Sequence, residues 1–157
     1  MTAIAIVGTR TLKSPEVQSL VFQVVKKLKS HFKDDLTIIS GGAQHEDPSA
    51  RNPDIFARIA SLDLGVTFRE YPAEWERYAG MAGPIRNELM AKQSNYVIAI
   101  WNHRSRGTQD MLQRAEHYGL PFMIFNDRLK LSKVTHGWPL ISGLTGHLSI
   151  GVKLPSG

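Results

Sequence analysis

Three short stretches carry the residue types that hold an anion. Gly8-Thr9-Arg10, Gly41-Gly42-Ala43 and Ser105-Arg106-Gly107-Thr108 each set glycine beside polar or cationic neighbours. Glycine lets a backbone come close to a phosphate, and the N–H groups at a helix start supply donors for it. Taken together, the three turns point to a nucleotide pocket; taken singly, each glycine serves a tight turn equally well. Neither a GxGxxG fingerprint nor a GxxxxGK[ST] loop occurs, which argues against an ordinary dinucleotide-binding dehydrogenase and a P-loop nucleotidase.

The run Gly83-Pro84-Ile85-Arg86-Asn87-Glu88 is more informative. Pro84 suits a helix start, which places Arg86 and Asn87 in the first turn. Arg86 there either forks onto a phosphate or carboxylate, or pairs at the surface with Glu88 or Glu116. Asp110, two residues beyond Thr108, is expected in the first turn of the next helix. It either complements the helix dipole or faces the pocket as an acid, a base or a stabiliser of an oxocarbenium-like centre. Trp75 and Tyr78 either stack on a base or form a buried lid. The six histidines show no HxxxH or HxH spacing, so no metal site is expected. His45 and His103 fall in pocket-side loops, as phosphate or base contacts or as solvated residues. No cofactor is implied.

These residues need a scaffold, and the chain reads as strand and helix in alternation. Apolar runs at Ala3 to Val7, Leu36 to Ile39, Val66 to Arg69, Tyr96 to Ile100 and Pro121 to Phe125 predict five strands. Val17, Leu20, Val21, Val24, Val25 and Leu28 recur at helical spacing after Ser14-Pro15, with Lys26, Lys27 and Lys29 at the end, joined by Lys33 in a basic face. Further helices are expected from Ile55 to Leu62, Ile85 to Gln93 and Thr108 to Tyr118, with a loop over Tyr71 to Pro84 that holds at most a turn of helix at Glu74 to Tyr78. The fold class is therefore α/β: a Rossmann-like three-layer sandwich with a mainly parallel sheet of five or more strands. The expected division is residues 1–126 as a nucleotide-binding domain and residues 127–157 as a C-terminal extension. That extension, with Trp138, Leu140, Ile141, Leu144 and Leu148, reads as a hairpin, a flap or a subunit contact.

Composition narrows the classes. The chain has 157 residues, 42% hydrophobic, enough for one domain with its own core. Without cysteine it has no disulfide scaffold, thiolate nucleophile or thiolate-bound metal. Met1 to Val7 lacks a basic leader and reaches Gly8 too soon for a signal peptide, and no apolar run approaches the ~20 residues of a membrane span. A soluble, cytoplasmic protein is expected. The net charge of +5 favours anionic partners, and Arg10, Arg86, Arg104 and Arg106 all fall beside a glycine turn or a helix start.

The segments Ile4 to Arg10, Ser40-Gly41-Gly42-Ala43, Pro72-Ala73-Glu74-Trp75, Ala82 to Met90 and Ser105 to Met111 together resemble the SLOG superfamily. This Rossmann-like group includes the Lonely Guy phosphoribohydrolases, the DNA-processing protein A domain and nucleotide-sensing domains of some channels. The likeness covers about residues 3 to 125 and is greatest to small stand-alone bacterial and phage members. It implies ligand binding by Gly8, Thr9, Arg10, Gly41, Gly42, Ala43, Arg86, Asn87, Ser105, Arg106, Gly107 and Thr108. In the phosphoribohydrolases an arginine and a glutamate cleave the N-glycosidic bond of a nucleoside monophosphate; Arg86 and Asp110 match their places, Asp110 being one methylene shorter. Asn102-His103-Arg104-Ser105-Arg106 replaces the Pro-Gly-Gly part of the phosphate loop. The Gly-Ala-x-Gly-x-Asp pattern after the second strand becomes Gly42-Ala43-Gln44-His45-Glu46-Asp47.

The resulting expectation is a protein that binds a nucleotide or ADP-ribose-type signalling molecule, as sensor or sequestering protein. Nucleotide N-glycosidase activity is the first alternative and DNA binding the second. Relatives pair through helices, so a homodimer or higher homo-oligomer is expected; nucleic acid is the less favoured partner.

Overall fold

In the computed structural model, which describes residues 1–42 and 49–146, six strands form one sheet. They are β1 (Thr2–Gly8), β2 (Leu36–Ser40), β3 (Thr67–Glu70), β4 (Tyr96–Ile100), β5 (Phe122–Phe125) and β6 (Leu131–Val134). The spatial order is β3-β2-β1-β4-β5-β6. All neighbours are parallel except β6, which returns antiparallel to β5. The inner strands are largely apolar because helices cover both faces. Along β1, Ile4 and Ile6 enter one core cluster while Ala3, Ala5 and Val7 enter the other.

Helix α1 (Pro15–Phe32) starts at Ser14, whose hydroxyl accepts the Val17 N–H, with Pro15 at the first helical position. Helix α2 (Pro53–Leu64) repeats the device: Asn52 accepts the Ile55 N–H at 3.0 Å, and Gly65 ends the helix at φ 68°. These two helices cover the Ile4 and Ile6 face. Short α3 (Trp75–Tyr78) leads to α4 (Ala82–Gln93), which with α5 (Arg106–His117) covers the other face through Met90, Ala91, Met111, Leu112 and Ala115. The architecture is the expected α/β, Rossmann-like, three-layer arrangement. No helix of the described residues is long and apolar enough to cross a membrane.

Several expected boundaries move. Helix α4 begins at Ala82, not Ile85, and contains Gly83-Pro84 in its first turn. Proline is tolerated there because the first four N–H groups of a helix have no intrahelical partner. Arg86 and Asn87 therefore occupy the second turn, where their side chains cross the helix packing surface. Helix α5 begins at Arg106, two residues early, because Ser105 is its cap; Asp110 likewise falls in the second turn. The third strand runs from Thr67 to Glu70, one residue later than expected.

The C-terminal segment supplies β6, which sequence reading did not assign. Beyond it, Trp138 stacks near Tyr96 with ring centroids 4.6 Å apart, and Ile141 and Leu144 are each 1% exposed in the α1–α2 core. Leu140, by contrast, is 81% exposed. Ala43, His45, Asp47, His147 and Leu148 lie outside the described residues.

Candidate functional site

Strand order reverses beside β1: the chain leaves β1 toward β2, and leaves β4 toward β5. At such a switch point the loops after the two strands part and open a crevice at their C-terminal ends. Here the crevice is a cleft of about 640 Å³. Its wall includes Gly8, Thr9, Arg10, Gly41, Arg86, Asn87, Ser105, Arg106, Gly107, Thr108 and Asp110, so most of the residues singled out in the sequence converge. Gly42 is not part of that wall; it turns at φ 66° where a Cβ would meet Glu70 Cδ at 2.7 Å. His103 is also absent from the wall; it is exposed at φ 65°, with its ring 4.4 Å from that of Trp101.

The loop between β4 and α5 is built by Asn102. Its Oδ1 accepts the N–H groups of Arg104 and Ser105, each at 2.9 Å, a turn of the chain around one side chain. Thr9 locks that loop to the end of β1. Its hydroxyl donates to Asn102 Oδ1 and accepts from the Asn102 N–H, both at 3.2 Å. Ser105 then caps α5 by accepting the Thr108 N–H. Arg10, Arg104 and Arg106 are exposed on this side, and Arg106 and Gly107 open the helix. Their N–H groups are among those a helix leaves without an internal partner.

The other side is a chain of hydrogen bonds running through the α4–α5 packing surface. Arg86 donates through Nη1 to Gly41 O at 2.6 Å and through Nε to Asn87 Oδ1 at 2.9 Å. The Asn87 amide donates to Gly107 O at 3.1 Å and to Asp110 Oδ2 at 2.9 Å. Arginine can only donate and an ionised carboxylate can only accept, so this chain fixes which way the Asn87 amide points. Asp110 Oδ2 also receives Arg114 Nε at 2.9 Å, and Arg114 Nη1 reaches Glu88 Oε1 at 3.1 Å. The surface pairing considered for Arg86 is thus not made: Glu88 pairs with Arg114 and, at 3.9 Å, with Lys92.

Sequence reading missed Asp54. It sits in the first turn of α2, its Oδ1 accepts the Ser40 hydroxyl at 2.9 Å, and it lines the cleft. Burial pushes its carboxyl above the usual range, opposed by the Arg86 guanidinium, the Ser40 bond and Arg10. Burial likewise lowers Arg86 from its ordinary value, opposed chiefly by Asp54. The signal that could have found Asp54 is Asn52-Pro53, which marks a helix start shortly after the second strand and so sets the next residue at the ligand edge. Trp75, 51% exposed, also lines the cleft and is not a buried lid. Tyr78 lies under Arg77, 5.1 Å from ring centroid to Cζ.

No family model matches the chain, and neither does any curated protein. Among solved structures, DNA processing protein A from Helicobacter pylori, described for its single-stranded DNA binding mode, superposes with a TM-score of 0.57 at 19% identity. The chain shares that protein's fold. The match covers 78% of this chain and 64% of the other, so this chain spans less than two thirds of it. Homoserine dehydrogenase from S. aureus matches over 78% of this chain and 33% of that one, at 15% identity and a TM-score of 0.29. Among the described residues, no group of three or more histidines and carboxylates could hold a metal ion.

Proposed function

We propose that the cleft at the ends of β1 and β4 binds a phosphorylated nucleotide-type ligand, and that the chain is a SLOG-like protein used to sense or sequester it. One observation carries the reading: the switch-point cleft gathers the Gly8-Thr9-Arg10 turn and the start of α5 at Arg106-Gly107-Thr108 around a single space. Exposed arginines and the free N–H groups of a helix start suit a phosphate. A volume of about 640 Å³ is within the range of small-ligand sites. Calorimetry against inorganic phosphate, nucleoside 5′-monophosphates and ADP-ribose tests this. Saturable binding of a nucleotide is expected, weakened by Arg106→Ala; folded protein that binds none of them would sink the reading.

A second reading, single-stranded DNA, is favoured by the fold shared with a protein described for that binding. A polyanion releases counterions along its length, so its affinity falls steeply with salt, whereas a mononucleotide, with few charges, shows a shallow slope. Titrating a fluorescent oligodeoxythymidine across salt concentrations, with nucleotide as competitor, separates the two.

A further inference from the structure

A phosphate grip alone explains one side of the cleft and leaves Asp54 unaccounted for. An acid in the first turn of α2 complements the helix dipole, but an exposed carboxylate would do that as well. Asp54 is instead withdrawn beside Ser40 and Arg86, at a wall where a bound phosphate would be repelled. Among the described residues it takes one hydrogen bond, from the Ser40 hydroxyl to Oδ1. Arg86 gives its Nη1 to Gly41 O rather than to this carboxylate. An ionised carboxylate offers about four acceptor positions, so most of the capacity of Asp54 is unused at the cleft wall. Its placement is built: a Cβ on Gly8 would meet Pro53 Cβ at 2.7 Å, so glycine at the end of β1 is what lets the start of α2 close onto the cleft.

The sheet order then separates two kinds of ligand contact. Asp54 follows β2 and the Ser105–Thr108 turn follows β4, with β1 and its Gly8-Thr9-Arg10 loop between them. We infer that Asp54 is the specificity-determining residue of the cleft: it accepts a hydrogen bond from a neutral O–H or N–H on the nucleoside part of the ligand, on the side of β1 away from the phosphate grip. This rests on the phosphate-binding reading above and adds to it that the ligand carries a hydrogen-bond donor at its other end. The donor is a sugar hydroxyl or a base N–H, which share this chemistry.

The test is calorimetry of the wild-type chain and Asp54→Asn with inorganic phosphate, ribose 5-phosphate, nucleoside 5′-monophosphates and their 2′-deoxy forms. The wild-type chain should prefer a nucleotide over inorganic phosphate, and Asp54→Asn should lower nucleotide affinity and reduce that preference at least tenfold while its affinity for inorganic phosphate does not fall. Loss of the preference for ribose 5-phosphate as well assigns the donor to the sugar, and its retention assigns the donor to the base. An unchanged preference in Asp54→Asn overturns the inference; if Arg106→Ala still weakens every ligand, the phosphate reading survives it. A wild-type chain that binds nothing in the set overturns both. Should Asp54→Asn fail to fold, Asp54→Glu, which keeps the charge and moves it by one methylene, is read by the same ratio.

Discussion

Gly41 lies against the Arg86 guanidinium, with its carbonyl 2.6 Å from Nη1, and a Cβ at this position would stand 2.8 Å from Cζ. The β2 turn and the α4 arginine are therefore fitted to one another, and a side chain at Gly41 would push the guanidinium from this position. Gly41→Ala is expected to lower stability by about 1–3 kcal/mol through displacement of the half-buried Arg86 guanidinium from its bond to Gly41 O. Urea denaturation should show the loss, and calorimetry a weaker nucleotide affinity; an unaltered midpoint would mean that Arg86 swings away freely.

Asn87 is 4% exposed and joins Arg86, Gly107 and Asp110 through its amide. Replacing it by leucine keeps the branched outline but leaves the Arg86 Nε–H and one acceptor site of Asp110 without their partner. A loss of about 1–3 kcal/mol is expected in chemical denaturation. Asn87→Asp should be worse, because it sets a second carboxylate beside Asp110.

The same bonds bear on hydrolysis. Arg86 spends Nη1 and Nε on Gly41 and Asn87, and Asp110 Oδ2 already holds two donors. Nucleoside monophosphate incubated with the protein should accordingly be recovered intact by chromatography. Release of free base that vanishes in Asp110→Asn would instead establish the glycosidase alternative.

Glu88 titrates below its ordinary value of 4.5, held down first by the Tyr118 hydroxyl, which donates at 2.7 Å, then by Arg114 and Lys92. A depressed carboxylate stabilises the folded state above the ordinary value, and that stabilisation is lost as pH falls through the depressed one. Tyr118→Phe should move the Glu88 carboxyl resonance to titrate at higher pH and begin the loss of stability earlier on acidification. A titration curve that does not move would show that the tyrosine bond is absent in solution.

Ile141 and Leu144 belong to the core beneath α1 and α2. Leu144→Ala should cost about 2–5 kcal/mol, since it opens a cavity under a residue 1% exposed. A neutral result in thermal unfolding would mean that residues 135–146 detach from the sheet.

Much of this was legible in the chain, for physical reasons that differ by element. Strands β1, β2, β4 and β5 announce themselves because burial on both faces demands largely apolar runs, and α1 because one face alone is buried. Strand β6 is silent: Leu131–Val134 is short and half-exposed, and only its pairing with β5 makes it a strand. The start of α4 was hidden by Gly83-Pro84, which look like a break but fall where a helix does not need their hydrogen bonds. The cleft residues of the glycine turns were legible because turns concentrate glycine. Asp54 was not, since its meeting with Ser40 depends on where α2 resumes after β2, and Asn87 was not legible as a bridge because its partners lie on different elements.

Thr67 and Arg69 are exposed along β3, and Ser132 and Lys133 along β6, where the Lys133 ammonium sits 5.5 Å from the Phe122 ring centroid. A strand docking at either rim would have to desolvate a cation. Crowded copies of this chain thus lack an easy strand-to-strand route into fibres.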